Sequence, residues 1–182
     1  MPKPVPEQPL IDQFLDSLWL EKGLSKNTLS AYRQDLQNFA LWADKSGNQL
    51  SLIRREDVLH YLSDRMSLGV KARSTARALS CLRSFYRHMM REKHIAEDPT
   101  LRVENPKLGR PLPDTLTEGD VEKLLAAPDL STAIGFRDRT MLEVLYACGL
   151  RVSELVGLKL TEINLRQGVG RIGGKGSKER LV

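Results

Sequence analysis

Between positions 73 and 91, apolar side chains recur at intervals of three and four residues, which is the spacing of one face of an α-helix. The opposite face carries only arginine and serine. The packing positions are Thr75, Ala78, Leu79, Leu82, Phe85, Tyr86 and Met89, and the polar positions are Arg73, Arg77, Ser80, Ser84, Arg87 and Arg91. The pattern predicts a helix from about residue 73 to 93, packed on one face and small and cationic on the other.

The charge of this region differs from that of the rest of the chain. Seven Lys and Arg residues and no Asp or Glu lie between positions 65 and 91, although the net charge of the 182 residues is only +5. A solvated helix face normally carries acids that pair with bases four residues away, and this face has none. Serines between the arginines allow a phosphate backbone to approach closely. An ordinary solvated surface remains an alternative interpretation, but the pattern favours a surface that neutralises DNA phosphates.

Three further helices are predicted before this one. The first carries Leu10, Ile11, Phe14, Leu15 and Leu18 on one face. It ends at Gly23, and the second starts at the Ser25/Asn27 signal and ends near Gly47. The third spans about residues 56 to 67 and is expected to bury Val58, Leu59, Leu62 and Met66. Residues 1–105 are therefore predicted to form a four-helix domain.

A proline-rich stretch separates this domain from the rest of the chain. Positions 105 to 114 hold three prolines and have almost no helical tendency, which predicts a linker over 106–114. In residues 115–182, Thr117 and Asp120 form a capping box that starts a helix at Glu118. Another helix ends at Gly149, and strands are predicted from positions 169 to 172 and from near Arg180. The predicted fold class is mainly α with a small β-hairpin (α+β).

Composition argues against several other classes of protein. Cys81 and Cys148 show no CxxC spacing and the three histidines are scattered, so we expect no metal site. The apolar runs are far shorter than the about 20 residues of a membrane span, and no signal segment opens the chain. We expect a cytoplasmic protein without membrane insertion.

Two segments could carry chemistry, and the first surrounds Arg151. This arginine directly follows the helix-ending Gly149-Leu150 pair in an apolar context, which predicts a half-buried guanidinium. Burying a guanidinium is costly unless an anion answers its charge. Glu154 is one candidate and a bound phosphate is another, and the segment alone leaves both open.

The second segment is a glycine-rich turn that places Lys175 at the tip of the predicted hairpin. The flanking glycines let such a tip approach a phosphate closely. Val169 and Gly176 stand where a P-loop needs glycine and Ser/Thr, so nucleotide binding is rejected. Taken alone, Lys175, Lys178 and Arg180 also fit a solvated hairpin end.

The order of these segments resembles the tyrosine recombinase (phage integrase) family, most closely its XerD-type members that resolve chromosome dimers. The resemblance lies in FLDSLWLEKGLSKNTLSAYRQDL from Phe14, MLEVLYACGLRVSELVGL from Met141 and GGKGSKERLV from Gly173. It implies a helical core-binding domain followed by the first part of an α+β catalytic domain. It also implies site-specific cutting and rejoining of DNA through a 3′-phosphotyrosyl link, without a metal or cofactor.

The resemblance further implies a role for several residues. Arg151 matches the first catalytic arginine, Lys175 the hairpin lysine that acts as general acid, and Glu154 the supporting carboxylate. For DNA contact we hypothesise Lys26, Asn27, Thr28, Arg73, Ser74, Arg77, Arg87, Lys178 and Arg180. The expected partners are double-stranded DNA and a second, XerC-like recombinase protomer in a tetramer on DNA.

The nucleophilic tyrosine of the family is expected to follow the hairpin, beyond these 182 residues. Tyr32, Tyr61, Tyr86 and Tyr146 all lie in patterns typical of helical cores. We therefore expect this chain to bind DNA without cleaving it. The alternatives are a non-catalytic DNA-binding protein on a recombinase scaffold, or a fragment of a phage or integron integrase.

Overall fold

The computed structural model describes residues 5–106, 115–173 and 179–182. The chain forms two compact units, unit 1 from Met1–Pro111 and unit 2 from Leu112–Val182. Most of the predicted linker lies outside the described residues. Each unit is described below by itself.

Unit 1 is built from four helices, α1 (Gln8–Lys22), α2 (Lys26–Lys45), α3 (Arg55–Ser67) and α4 (Ala72–Arg91), with a short 3-10 turn at Leu50–Leu52. Gly23 ends α1 in the left-handed conformation at φ 56°, a region that glycine adopts without steric cost. The hydroxyl of Ser25 then accepts the Thr28 N–H at 3.3 Å and caps α2. Both local signals act as the sequence predicts.

Helix α4 supplies much of the core of unit 1. All seven predicted packing positions on this helix are buried, and so is Cys81. The Phe85 ring meets Phe14 of α1 edge-on, with centroids 5.4 Å apart. Phe39 of α2 is fully buried and contacts the Tyr61 and Tyr86 rings at 4.8 and 6.4 Å. The predicted packing face of α4 is confirmed.

The predicted packing face of α3 is partly wrong. Val58 and Leu62 are buried, but Leu59 and Met66 are 43% and 58% exposed. Tyr61 takes the inward position, because its ring packs against Phe39 and against Trp42 at 5.3 Å. The aromatic contact turns the helix so that its inner face runs through positions 58, 61 and 62.

Unit 2 contains α5 (Glu118–Ala126), α6 (Ala133–Cys148) and α7 (Val152–Gly157), followed by strands β1 (Ile163–Asn164), β2 (Val169–Gly173) and β3 (Glu179–Leu181). The strands form an antiparallel sheet in the order β1-β2-β3, with Ile172 opposite Arg180. The helix start at Glu118, the helix end at Gly149 and the β-hairpin are confirmed, as is the α+β class. Helix α7 and strand β1 were not predicted.

The apolar side chains of α6 are more exposed than their spacing suggests. Phe136 and Tyr146 are 65% and 66% exposed. Among the described residues of unit 2, the buried hydrophobic side chains are Leu150, which lies just before α7, and Ile172, which lies in β2. The expectation that Tyr146 belongs to a helical core is therefore wrong, because no described element covers that face of α6.

In the described part of the chain, no helix has both the length and the apolar character needed to cross a membrane.

Replacing Phe39 with alanine should destabilise unit 1 by about 3–5 kcal/mol, because it removes a fully buried ring and leaves a cavity. Urea unfolding monitored by circular dichroism measures the change. Leu68→Ala is the control, since Leu68 is 82% exposed and its loss should alter stability by less than about 0.5 kcal/mol. Equal effects of the two substitutions would contradict the described core.

Candidate DNA-binding surface and active site

The polar face of α4 presents two exposed arginines with no partner among the described residues. Arg73 lies in the first turn of the helix and Arg87 in the last turns, and both are exposed. Ser80 and Ser84 lie between them on the same face. Their small side chains leave the face low enough for a polyanion to contact both guanidiniums.

Arg77, on the same face, is held by an acid from another helix. Its Nε and Nη2 donate to the two carboxylate oxygens of Asp35 at 3.0 and 3.2 Å. Asp35 is on α2 and its side chain is only 2% exposed, whereas that of Arg77 is 50% exposed. The hydrogen bonds that Arg77 donates to Asp35 raise the pKa of Arg77. Arg77 thus neutralises a buried carboxylate and joins α2 to α4, a role that the local absence of acids did not reveal.

Arg91 is likewise bound to acids outside the predicted cationic stretch. Its Nη1 and Nη2 donate to both carboxylate oxygens of Glu21 on α1 at 2.9 and 2.7 Å. His88 lies one turn earlier, and burial followed by the nearby Arg91 charge lowers its pKa. Both side chains contact α1, His88 at Ser17 and Arg91 at Glu21, and they serve the packing of α1 on α4.

The start of α2 is exposed, as a DNA contact requires. Lys26 and Asn27 are exposed, while the Thr28 hydroxyl lies 3.0 Å from the Ser25 hydroxyl within the cap. Ser74 offers its carbonyl to Arg65 at 3.4 Å. A DNA-contact role for these residues stays a prediction.

In unit 2, a tight turn brings Arg151 to the start of α7. Gly149 ends α6 at φ 57°, and Arg151 follows in extended conformation as the residue that precedes α7. The Arg151 N–H donates to Glu154 Oε2 at 2.9 Å, and its Nη1 donates to Oε1 at 2.7 Å. The Arg151 side chain is 70% exposed and that of Glu154 only 7%. The prediction of a half-buried guanidinium is therefore wrong: the carboxylate is the buried partner.

Arg180 of β3 binds the same carboxylate. Its Nη1 and Nη2 donate to Glu154 Oε1 and Oε2 at 3.2 and 2.8 Å, and Nη2 also reaches the Gly149 carbonyl at 3.3 Å. Sequence reasoning assigned Arg180 to DNA and missed this ion pair, which spans 26 residues. Only the hairpin register, with Arg180 opposite the buried Ile172, could have suggested it.

The surroundings of Glu154 strongly favour its ionised form. The Arg151 backbone N–H, followed by the Arg180 guanidinium, lowers the pKa of Glu154 from 4.5 to about 2. A carboxylate with a depressed pKa stabilises the fold fully above its ordinary pKa, and that contribution is lost as the pH falls towards the lowered value. Glu154 is thus a permanent anion at neutral pH, shared by two permanent cations.

Lys175 and Lys178 fall between Gly173 and Glu179, outside the described residues. Their assignment as hairpin lysines stays a prediction. The described strand ends, Gly173 of β2 and Glu179 of β3, are directly paired in the ladder.

Comparison with known proteins identifies the architecture. The sequence-family model for the phage integrase N-terminal SAM-like domain matches residues 11–93, and the one for the phage integrase family matches residues 114–182. The chain belongs to the phage integrase family. Within this family, it is similar to the tyrosine recombinase XerD of Pseudomonas aeruginosa, with 64% identity over 176 residues that make up 97% of this chain and 59% of the relative.

A second relative agrees with this assignment, and a solved structure shares the fold. The tyrosine recombinase XerD of Shewanella oneidensis is 52% identical over 174 residues, covering 96% of this chain and 58% of the relative. A lambda integrase dimer bound to a COC′ core site has the same fold, with a TM-score of 0.73 at 20% identity over 97% of this chain and 61% of that one. The chain spans about three-fifths of the length of these family members.

The role of Arg77 can be separated from that of Arg73. Arg77→Ala should lower the stability of unit 1 by about 3 kcal/mol, because it leaves the buried Asp35 carboxylate without a cation. Arg73→Ala should change stability by less than about 0.5 kcal/mol, since Arg73 is exposed. Chemical unfolding of the two variants decides the matter, and a loss for Arg73→Ala as large as that for Arg77→Ala would contradict the assignment.

Proposed function

We propose that the chain is part of a tyrosine-type site-specific DNA recombinase that resolves chromosome dimers in the cytoplasm. The observation that carries the proposal is the Arg151 side chain, which Glu154 fixes at one end while 70% of it faces solvent. A guanidinium held in this way has donors left for a phosphodiester oxygen. The similarity to XerD recombinases over 97% of the chain supports the same function.

In the proposed reaction, a tyrosine phenolate attacks the scissile phosphorus, a Tyr–O–P bond forms and the bond to the 5′ oxygen breaks. Arg151 binds a non-bridging oxygen and stabilises the charge that develops on it. Lys175 donates a proton to the departing 5′ oxygen. Rejoining reverses these steps, and the energy of the bond is kept in the covalent link, so that neither a metal nor a cofactor is required.

The nucleophile of the proposed reaction is not one of the four tyrosines in this chain. Burial raises the pKa of Tyr32, Tyr61 and Tyr86, which disfavours the phenolate. Tyr146 is exposed, but it lies in the segment that resembles the first catalytic box, five positions before Arg151. We infer that residues 1–182 supply DNA binding and part of an active site.

Unit 1 is proposed to grip the duplex through the polar face of α4. Arg73 and Arg87 are the cations of this face that have no described protein partner, so they are free to displace counterions from phosphates. The proposed second partner is a related, XerC-like recombinase protomer, with the active assembly a tetramer on DNA.

DNA binding by residues 1–182 should depend steeply on salt. Arg73→Ala and Arg87→Ala should each reduce the slope of log K against log salt by about 1, because each removes one phosphate contact. Fluorescence anisotropy with a random-sequence duplex measures the slope. Lys45→Ala, an exposed cation at the end of α2, should leave the slope unchanged. Binding that does not respond to salt would contradict the proposal.

Strand cleavage can be tested in a chimera that continues residues 1–182 with the rest of the Pseudomonas aeruginosa relative. A nicked duplex that carries a site selected for binding should trap a covalent protein–DNA adduct. Arg151→Ala should slow adduct formation by about 10²–10³-fold and leave DNA affinity nearly unchanged. The control Arg166→Ala should leave the rate of adduct formation unchanged. Adduct formation that survives Arg151→Ala would contradict the role of Arg151. Binding without any adduct in the unaltered chimera would favour a purely DNA-binding function.

Residues 1–182 alone should form no adduct with the same nicked duplex. If an adduct does appear, the Tyr146→Phe variant shows whether the exposed Tyr146 forms the bond. Either result with an adduct would contradict the inference that the nucleophile lies outside these residues.

A further inference from the structure

Glu154 receives more positive charge than it can neutralise. Its carboxylate accepts the Arg151 N–H, the Arg151 guanidinium and the forked guanidinium of Arg180. One negative charge thus faces two positive charges, and the cluster keeps a net charge of +1. A phosphodiester carries one negative charge, so this cluster is matched to that ligand in charge.

The two arginines differ in the donors that they have left. Both terminal nitrogens of Arg180 already donate to protein oxygens, and its side chain is 39% exposed. Arg151 binds Glu154 through Nη1 and is 70% exposed. The geometry therefore leaves Arg151 as the arginine that is open to a ligand, while Arg180 is committed to the protein.

Arg180 also lies within the paired region of the sheet. It is directly opposite Ile172 in the β2–β3 ladder, and Ile172 is 2% exposed. The bond to the Gly149 carbonyl connects this ladder to the residue before the Leu150-Arg151 turn, and the fork to Glu154 connects it to the first turn of α7. The hairpin strands and the Arg151 turn are thereby tied through one side chain.

We propose that Arg180 is a positioning residue that acts through Glu154 and joins strands β2 and β3 to Arg151, so that the Arg151 guanidinium is held in one geometry. The inference rests on the proposed recombinase function for its consequence in catalysis. It replaces the direct DNA contact that the sequence suggested for Arg180.

The first test is the titration of Glu154 in residues 1–182, followed by carboxyl-carbon NMR. In the unaltered chain the Glu154 signal should stay that of a carboxylate down to about pH 3, since its pKa is lowered to about 2. Arg180→Gln should raise the midpoint by about one pH unit or more, because two hydrogen bonds to the charged form are lost. Arg166→Gln, an exposed arginine in the turn before β2, is the matched control and should cause no shift.

An unchanged Glu154 midpoint in Arg180→Gln would overturn the inference while leaving the proposed function intact. If Arg180→Gln unfolds unit 2, Arg180→Lys takes its place. Lysine keeps the charge but cannot form the fork, so it should still move the midpoint upward by a smaller amount. A midpoint in Arg180→Lys equal to that of the unaltered chain would then overturn the inference.

The second test is a double-mutant cycle on adduct formation in the chimera. Arg180→Gln should slow the reaction by roughly 10²-fold through misplacement of Arg151. In a chimera that already carries Glu154→Gln, adding Arg180→Gln should slow adduct formation by less than about threefold further, because Arg180 acts through Glu154. Losses that multiply would instead assign Arg180 to the phosphate directly and overturn the positioning role. If Arg180→Gln shifts the Glu154 titration in residues 1–182 but the unaltered chimera forms no adduct, the ion-pair network is supported and the proposed function is rejected.

Discussion

A carboxylate that is removed from water requires a cation, and in both units this requirement determines where an arginine points. The Asp35 side chain is 2% exposed and fixes Arg77 on the surface of α4, while the Glu154 side chain is 7% exposed and fixes Arg151 and Arg180 in unit 2. In each case the acid is the buried member and the arginine the exposed one. A long side chain that would otherwise sample many rotamers is held in one orientation.

This arrangement sorts the arginines by what they can bind. Arg77 and Arg180 each donate two hydrogen bonds to a buried acid, so we propose that they support DNA binding only indirectly. Arg73 and Arg87 have no partner among the described residues, and we propose that their charge is available to phosphates. Arg151 is intermediate, because one terminal nitrogen is fixed by Glu154 and the rest of the group is open. A partly tethered guanidinium combines a defined position with free donors, which transition-state stabilisation requires.

Local structure was predictable from the sequence wherever a local signal determines it. The packing face of α4 follows from its periodicity, the end of α1 from Gly23, and the start of α5 from the Thr117–Asp120 capping box at 3.2 Å. The hairpin follows from a short β-like run on each side of a glycine-rich turn. These features depend on residues within a few positions of each other.

The errors arose where distant elements meet. Leu59 and Met66 face outward because Tyr61 packs on α2, and periodicity alone cannot distinguish two adjacent helix faces. The partners of Arg77 and Arg180 lie 42 and 26 residues away, so the neighbouring sequence does not reveal either ion pair. Arg151 was expected to be half buried from its apolar neighbours, but one of these neighbours, Val152, is itself 67% exposed.

The claim that buried acids decide which arginines are free can be measured in residues 1–182 without DNA. Guanidinium NMR reports the exchange of each arginine's side-chain protons with water. Slow exchange is predicted for Arg77 and Arg180, whose donors are hydrogen-bonded to Asp35 and Glu154, and fast exchange for Arg73 and Arg87. Side-chain protons of Arg77 and Arg180 that exchange as fast as those of Arg73 would contradict the claim that buried acids hold these two arginines.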